Sequence, residues 1–237
     1  MNAINYNHRL HTLTVTDVKD ISARLRQVRF SGSSMRELKW IPGQKIKLKA
    51  GSKMKSYTPA HYNSNEGWMD IIFHLHGNGE ASHWAESISV GGMTTFIGPF
   101  HSMPFIEGKP DWFLFLGDET TLGLALALSN ALPKEAAQFG FIELDTLDIN
   151  AIKSINLPYT AVGRLTTHGE ALKKCLLSFD YPSGTGQVWI SGEAGVATEM
   201  SAFFRQAGFC KDQLKIKPYW SLKGHAHRKG LQRELCI

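Results

Sequence analysis

The sequence lacks most of the features that mark membrane proteins, secreted proteins and proteins stabilised by disulfides or bound metal. Its 237 residues contain no apolar run of the roughly 18 residues that a membrane span needs. The first residues, MNAINYNHRLHTL, lack the apolar segment of a signal peptide. Only three cysteines occur, at Cys175, Cys210 and Cys236, and none is in a C-x-x-C arrangement. A disulfide framework and a zinc site are therefore not expected, and the sequence predicts a cytoplasmic protein.

Net positive charge is also lacking over most of the chain. The formal charge of +5 comes from residues 211–237, which hold seven Lys/Arg against two Asp/Glu, whereas the other 210 residues hold 19 of each sign. A basic segment of this kind can be a solvated tail, a nucleic-acid-binding tail or a cationic rim for an anionic small molecule.

Helical patterns are almost absent from the first part of the chain. Up to about residue 107, six β-branched or alternating runs read as strands: HTLTVTDV, ARLRQVRF, QKIKLKA, SYTPAHY, WMDIIFHLH and MTTFIGP. One short helix is indicated at 81–88. Because closely spaced strands without intervening helices pair antiparallel, we expect residues 1–107 to form an antiparallel six-stranded β-barrel.

After residue 107 the pattern changes to strands that alternate with helices. The apolar run WFLFLG at 112–117 is typical of a strand buried on both faces. Further strands are indicated at 139–145, 159–164, 187–194 and 214–220, with helical patterns between most of them. Residues 108–237 are therefore predicted to form a doubly wound, mostly parallel five-stranded α/β domain of the nucleotide-binding type.

Two motifs in the predicted barrel indicate a ligand. The stretch FHLHGNGEASHWA places Gly77 and Gly79 ahead of the one helix, where a ligand can approach the backbone without meeting a Cβ, although a plain surface turn would also look like this. Ser82 lies at the helix start, where free N–H groups can hold a pyrophosphate. In KSYTP, Tyr57 can stack on a flat ring and Lys55 can neutralise a phosphate. Together the motifs favour a phosphate-bearing ligand.

A series of motifs resembles one known family over nearly the whole chain. In order, VRFSG, PGQKIKL, KSYTP, DIIFHLHGNGEASHWA, IGPF, LGDET, VWISGEAG and PYW resemble the siderophore-interacting proteins, which are FAD-binding ferric-siderophore reductases of the ferredoxin-reductase superfamily. The resemblance implies an FAD-dependent enzyme that passes single electrons from reduced flavin to Fe(III) and so releases iron as Fe(II). It further implies NAD(P)H or ferredoxin as electron donor, and we expect a monomer without a membrane span.

The resemblance also implies which residues hold the cofactor. Tyr57 and Thr58 would contact the flavin ring and its ribityl chain, and no side chain is expected to act as a catalytic acid or nucleophile. The complete predicted FAD set is Lys55, Tyr57, Thr58, His76, Gly77, Gly79, Ala81, Ser82, Trp84, Asp118, Thr120 and Trp220. Lys55 departs from the arginine usual in the superfamily and offers a point charge in place of a bidentate fork.

An electron-donor pocket is predicted at the ends of the parallel strands. Asp118, Glu119 and Thr120 can face a ligand there or cap the following helix. Asp145 can bind a ribose hydroxyl or lie in a polar loop, and Arg164 can hold a phosphate. The predicted pocket comprises Asp145, Arg164, Glu193 and Ala194. Nearby, Thr121-Leu122-Gly123-Leu124 replaces the family's usual leucine-proline-alanine, which puts nicotinamide binding in doubt.

Basic and histidine side chains are the candidates for contact with a substrate and with a metal ion. An anionic ferric chelate is expected to contact Lys55 and three cations of the basic C-terminal segment, namely Lys223, Arg228 and Lys229. His74 and His76 share one face of a predicted strand, but no third ligand is evident, so no metal site is predicted. A flavin reductase with another acceptor and a nucleic-acid-binding protein stay open as alternatives.

Overall fold

The structure is a computed structural model that describes residues 9–103 and 109–222. The chain clusters into two compact units, each containing one β-sheet. The predicted domain boundary between residues 107 and 108 lies outside the described residues.

In its described residues, the first unit contains an antiparallel sheet of seven strands. Its order is β4-β3-β7-β1-β2-β6-β5. One helix, α1 (Glu80–Ser87), lies between β6 and β7 in the chain. The strands are β1 (His11–Ser22), β2 (Leu25–Ser31), β3 (Lys45–Ala50), β4 (Lys53–Tyr57), β5 (His61–Asn63), β6 (Trp68–His74) and β7 (Met93–Phe100).

The strand count corrects the prediction of six. SYTPAHY was predicted as one strand, but it contributes to both β4 and β5, with Thr58-Pro59-Ala60 between them. Pro59 has no N–H to donate to a strand ladder, which explains the interruption. Because β4 and β5 form opposite edges of the sheet and only three residues join them, the two edges must approach each other, and the sheet curls into a barrel-like form.

The barrel core follows the period-2 alternation of its strands. Inward-facing side chains at alternate positions are fully or nearly fully buried, while most of their neighbours are partly or fully exposed. The side chain of Trp84 on α1 packs against this core, which fixes the helix on the barrel. The buried members are Leu13, Val15, Val28, Phe30, Met35, Ile46, Leu48, Met69, Ile71, Phe73, Ala85 and Phe96.

One carboxylate is buried in the barrel wall and is paired there. Asp70 on β6 is 1% exposed and accepts hydrogen bonds from Arg29 Nε at 2.7 Å, Arg29 NH2 at 2.9 Å and Gln27 Nε2 at 3.1 Å. His61 Nδ1 lies 3.4 Å from the same carboxylate. Burial opposes ionisation, but the hydrogen bonds and charges of Arg29 and His61 outweigh it and lower the pKa of Asp70.

We expect Asp70→Asn to lower the free energy of unfolding by about 1–3 kcal/mol at pH 7, because a charge-assisted pair is lost. The folded pKa lies below the unfolded one, so this stabilisation is present above the unfolded value, near 3.9, and disappears as pH falls through the folded value. Urea unfolding at pH 7, 5 and 3 measures the difference. Asp20→Asn, which breaks the exposed pair with Arg26, is the control and should change little. Equal effects of Asp70→Asn at pH 7 and pH 3 would contradict the account.

The second unit is a parallel sheet with helices between its strands, as predicted. The order is β10-β9-β8-β11-β12, and every neighbouring pair is parallel. The short helix α3 was not predicted. The elements are β8 (Trp112–Asp118), α2 (Leu122–Ala131), β9 (Ala137–Leu144), α3 (Ala151–Ser154), β10 (Thr160–Gly163), α4 (Glu170–Leu177), β11 (Gly186–Glu193), α5 (Ala194–Gln206) and β12 (Leu214–Trp220).

The direction of winding reverses between β8 and β11. The chain runs from β8 outward to β9 and β10, and then returns to the other side of β8 for β11 and β12. Both central strands are buried at every position. The carboxyl ends of β8 and β11 therefore meet at the switch point, where doubly wound domains bind ligands.

Part of the basic C-terminal segment belongs to the fold. Residues 214–220 form the edge strand β12, so Lys215 and Lys217 are not in a tail. Lys223, Arg228 and Lys229 lie outside the described residues. Within the part of the chain that the structure describes, no helix is both long and apolar enough to cross a membrane.

Candidate functional site

The predicted phosphate site is an exposed loop that leads into α1. We call residues 76–79 the glycine loop. Gly77 has φ 71° and Gly79 has φ 84° and ψ 153°, which are backbone conformations that glycine adopts without strain. Apart from its two chain neighbours, a Cβ placed on either glycine would meet no atom of the described residues within 4 Å. The space beside the loop is therefore open to a ligand.

Side chains around the glycine loop hold its shape. Ser82 is only 4% exposed, and its Oγ accepts a hydrogen bond from Gly77 N at 3.2 Å. His83 Nε2 lies 3.1 Å from Gly77 O, and Asn78 N donates to His76 Nδ1 at 3.3 Å. The exposed His76 thus braces the loop through its ring nitrogen, and Ser82 ties the loop to the helix.

The start of α1 offers backbone donors. Its N-cap is Gly79, which makes no side-chain cap hydrogen bond. Ser82 N and His83 N donate to Gly79 O, at 3.1 Å and 3.3 Å. The preceding N–H groups, at Glu80 and Ala81, have no acceptor within the helix, so this end of α1 can bind an anion.

A cluster of three packed aromatic rings includes one from this helix. The ring of Tyr57 packs edge-on against Phe73, with centroids 4.8 Å apart, and Phe73 packs in the same way against Trp84 at 5.9 Å. Burial raises the pKa of Tyr57 to about 12, so its phenol is neutral at physiological pH. Thr58 is buried beside Tyr57 in the chain, while Lys55 is exposed on the same face of β4 as Tyr57, two residues away.

The sequence reasoning missed a carboxylate at this site. Glu80 is the first residue of α1, and its side chain accepts hydrogen bonds from Ser52 N and, at 2.8 Å, from Ser52 Oγ in the β3–β4 turn. These bonds, with smaller effects of Lys53 and Lys55, lower the pKa of Glu80. An acid in the first turn of a helix was the available signal.

In the second unit, Asp118 lies at the centre of the switch point. It ends β8, is 5% exposed, and accepts hydrogen bonds from Thr120 N at 2.9 Å and from Thr120 Oγ1 through Oδ1. Oδ2 accepts from Glu193 N at 2.9 Å and from Trp220 Nε1 at 2.8 Å. One carboxylate therefore joins the ends of β8, β11 and β12.

Burial of this carboxylate changes its ionisation. Desolvation, and after it the charge of Glu119, raises the pKa of Asp118 to about 6, against the opposite effect of its hydrogen bonds from Thr120 and Trp220. Asp118 therefore gains a proton in mildly acidic solution, where an exposed aspartate would stay ionised.

A second carboxylate network joins the other strands. Arg164, at the end of β10, donates to Glu119, and its Nε lies 3.6 Å from Glu143 Oε2. Glu143, buried within β9, accepts from Gly169 N at 3.0 Å and 3.1 Å. His168 Nδ1 lies 3.7 Å from Glu143. Sequence reasoning missed Glu143 and His168, although a glutamate inside the apolar run FGFIELD was a usable signal.

The other predicted donor-pocket residues have structural partners too. Glu193 is the N-cap of α5, and its side chain accepts from Val196 N at 2.9 Å and from Leu222 N at 3.1 Å. Asp145 caps a 3-10 turn through Leu147 N at 3.1 Å, and Ala194 is the buried first residue of α5. The assignment of Asp118, Thr120 and Trp220 to the cofactor stays a prediction. All three belong to the second unit, where Asp118 accepts hydrogen bonds from the other two.

The fold and the site define a class of protein. An antiparallel barrel-like sheet followed by a doubly wound parallel sheet is the ferredoxin-reductase fold. The family description "Siderophore-interacting FAD-binding domain" matches residues 49–103, and "Siderophore-interacting protein" matches residues 110–223. Together these matches cover well over half of the chain, which belongs to the siderophore-interacting protein family.

Individual relatives agree with this classification. The chain is 30% identical to the ferric vibriobactin reductase ViuB of Vibrio cholerae over 95 residues, which are 40% of this chain and 35% of that protein. It is 25% identical to an NADPH-dependent ferric-chelate reductase of Escherichia coli over 171 residues, 71% of this chain and 66% of the relative. The chain thus matches between about a third and two thirds of these relatives' lengths.

A solved structure shares the fold over nearly its full length. The siderophore-interacting protein SipS from Aeromonas hydrophila superposes with a TM-score of 0.80 at 20% identity, and the match covers 97% of this chain and 99% of that one.

Proposed function

We propose that the protein is an FAD-dependent reductase of ferric siderophores. The observation that carries the proposal is the open glycine loop at the start of α1, within the segment that matches an FAD-binding domain. Curated relatives named as ferric reductases support the reaction class. The cytoplasmic location stays a prediction.

The residues of the first unit fit an FAD. A pyrophosphate would accept hydrogen bonds from the N–H groups at the start of α1, with the glycine loop alongside and Lys55 as counter-charge. The isoalloxazine ring would lie against Tyr57, with Thr58 as hydrogen-bond partner. Trp84 would act indirectly, because it supports Phe73 and through it the ring of Tyr57.

The chemistry follows from electron counting. A bound flavin accepts two electrons at once and releases them singly, which matches a ferric ion that accepts one. The protein's own residues would then hold the cofactor, cover one face of its ring and leave the other accessible to the chelate. Fe(II) is held less firmly by hard oxygen ligands, so reduction favours release of the iron. No acid, base or nucleophile is required of the chain.

The preferred electron acceptor distinguishes a ferric-siderophore reductase from a related flavin reductase. Purified protein reconstituted with FAD should be yellow and should reduce a ferric siderophore faster than ferric citrate or free FAD under the same donor. A colourless protein that takes up no FAD would refute the flavin assignment, and a preference for free FAD would refute the substrate.

We expect the double variant Ser82→Ala and Thr58→Ala to retain FAD poorly. Ser82→Ala removes the hydroxyl that accepts from Gly77 N, and each change should cost on the order of 1 kcal/mol or more in FAD binding. Together the two changes raise the dissociation constant roughly 30-fold. Ser87→Ala, which removes an exposed hydroxyl bonded to Trp84 O on the same helix, is the control. Unchanged flavin content in the double variant would remove Ser82 and Thr58 from the site.

We also expect Lys223, Arg228 and Lys229, which follow β12 in the sequence and which we call the basic tail, to attract an anionic chelate. Changing Lys223, Arg228 and Lys229 to glutamine should leave FAD binding intact and raise the KM for an anionic ferric siderophore. The effect should weaken as salt increases, because the screening length is about 10 Å at 0.1 M. Steady-state kinetics with an anionic and a neutral chelate make the comparison. Unchanged kinetics with both at low salt would exclude the tail from substrate binding.

A further inference from the structure

At the switch point, side chains of the protein itself fill the space beside two glycines. Gly117 lies in β8, and a Cβ there would overlap the side chain of Thr121. Gly192, with φ 103°, lies in β11, and a Cβ there would overlap the carboxylate of Asp118. Gly77 and Gly79 differ, because a Cβ on either would meet no atom within 4 Å in the part of the chain that the structure describes, its chain neighbours aside. In the first unit, a ligand can therefore approach the backbone at the glycines closely. In the second unit, the side chains of Thr121 and Asp118 lie in the corresponding space.

Carboxylates also accept hydrogen bonds from the helix starts at the carboxyl ends of the parallel strands. Asp118 accepts from Thr120 N in the 3-10 turn that leads directly into α2, and Glu193 accepts from Val196 N in the first turn of α5. Glu143 accepts from Gly169 N, which is the N-cap of α4. At each of these three helix starts, one N–H that could bind a phosphate therefore already has a buried carboxylate of the same chain as its acceptor.

The charge of these networks also opposes a phosphate. Among the described residues, they contain four carboxylates, of Asp118, Glu119, Glu143 and Glu193, against the guanidinium of Arg164 and the imidazole of His168. Arg164 already serves Glu119 and Glu143, so it offers little to a third anion. Each carboxylate is buried, and like charges at such short range repel strongly in a medium of low dielectric constant.

We infer that the carboxyl edge of the parallel sheet does not hold the phosphates of a dinucleotide, so that a nicotinamide donor is not anchored there through its pyrophosphate or 2′-phosphate. Doubly wound domains usually hold a pyrophosphate at a switch-point helix start beside a glycine, and here one N–H at each of three helix starts and the space beside Gly117 and Gly192 are taken by side chains of the same chain. The inference concerns the electron donor, and so it rests on the proposed reductase function.

Hydrogen exchange on the FAD-loaded full chain tests the inference at the residues concerned. The probe is NADP⁺, which carries both kinds of phosphate, at about 5 mM and pH 8, a concentration that fills any site with a millimolar dissociation constant or tighter. The segments to follow are residues 117–122, 167–171 and 191–197. We expect their exchange to be unchanged, because their N–H groups keep their carboxylate partners. Slower exchange in any of the three on addition of NADP⁺ would overturn the inference.

Two comparisons make the result unambiguous. FAD added to the apoprotein should slow exchange at residues 76–83, and this separate response tests the proposed flavin site, so the two failures are distinguishable. The variant with glutamine at Lys223, Arg228 and Lys229 is measured in parallel, because the tail can attract phosphates by itself. Its three edge segments are also expected to be unaffected by NADP⁺, and slower exchange in them would overturn the inference for the edge itself.

Discussion

Gly79→Val should raise the dissociation constant for FAD by roughly 100-fold or more, which corresponds to about 3 kcal/mol. Two effects add in this variant. Valine is strained at φ 84° and ψ 153°, at a cost of order 1–3 kcal/mol, and the apoprotein can relax the loop whereas the FAD complex cannot. The side chain would also enter the open space beside the loop that the pyrophosphate is proposed to use. Flavin absorbance after equilibration with FAD and gel filtration measures the loss.

Gly91→Val is the matched control for this prediction. Gly91 has φ 87° and belongs to the same unit, and a Cβ there also meets no atom of residues 9–103 and 109–222 within 4 Å, its chain neighbours aside. The control therefore also places a valine at a positive φ, without changing the glycine loop. It should bind FAD as the wild type does. Full flavin occupancy of a folded Gly79→Val protein would show that the pyrophosphate binds elsewhere.

Asp118→Ala should destabilise the second unit by about 2–5 kcal/mol. The substitution leaves buried donors, among them Glu193 N and Trp220 Nε1, without their acceptor, and each buried unpaired donor costs about 1–3 kcal/mol. It also releases the link between the ends of β8, β11 and β12. Chemical unfolding followed by tryptophan fluorescence measures the change.

Asp145→Ala supplies the comparison for Asp118. Its carboxylate caps a 3-10 turn through Leu147 N, but it is only half-buried, so its loss should cost about 1 kcal/mol. Equal effects of the two substitutions would mean that the Asp118 network adds nothing beyond an ordinary cap.

The order of strands and helices was predictable because hydrophobic periodicity is a local property. The apolar run 112–117 corresponds to the buried strand β8, and the change of rhythm after residue 107 marks the second sheet. The error in SYTPAHY arose because Pro59 interrupts an otherwise strand-like run, and strand pairing at the two edges decides where the run divides.

The site was predictable only where the residues that form it lie close together in the sequence. Gly77, Gly79 and Ser82 lie within one short segment, so their motif reveals them, although the positive φ of both glycines does not follow from the letters. Glu143 and Glu80 were missed because their partners, Gly169 and Ser52, lie 26 and 28 residues away. Arg164 was predicted as a phosphate ligand, and its pairing with Glu119, 45 residues earlier, depends on the tertiary fold.

Electron transfer to iron within a single turnover tests the central claim most directly. The FAD-loaded protein would be reduced without excess reductant, mixed anaerobically with a ferric siderophore, and followed at once by flavin absorbance and by a colorimetric Fe(II) chelator. The account predicts reoxidation of the flavin with about two Fe(II) formed per flavin, faster than with the same concentration of free reduced FAD. A protein whose reduced flavin persists in the presence of the ferric siderophore, with no Fe(II) formed, would contradict the account.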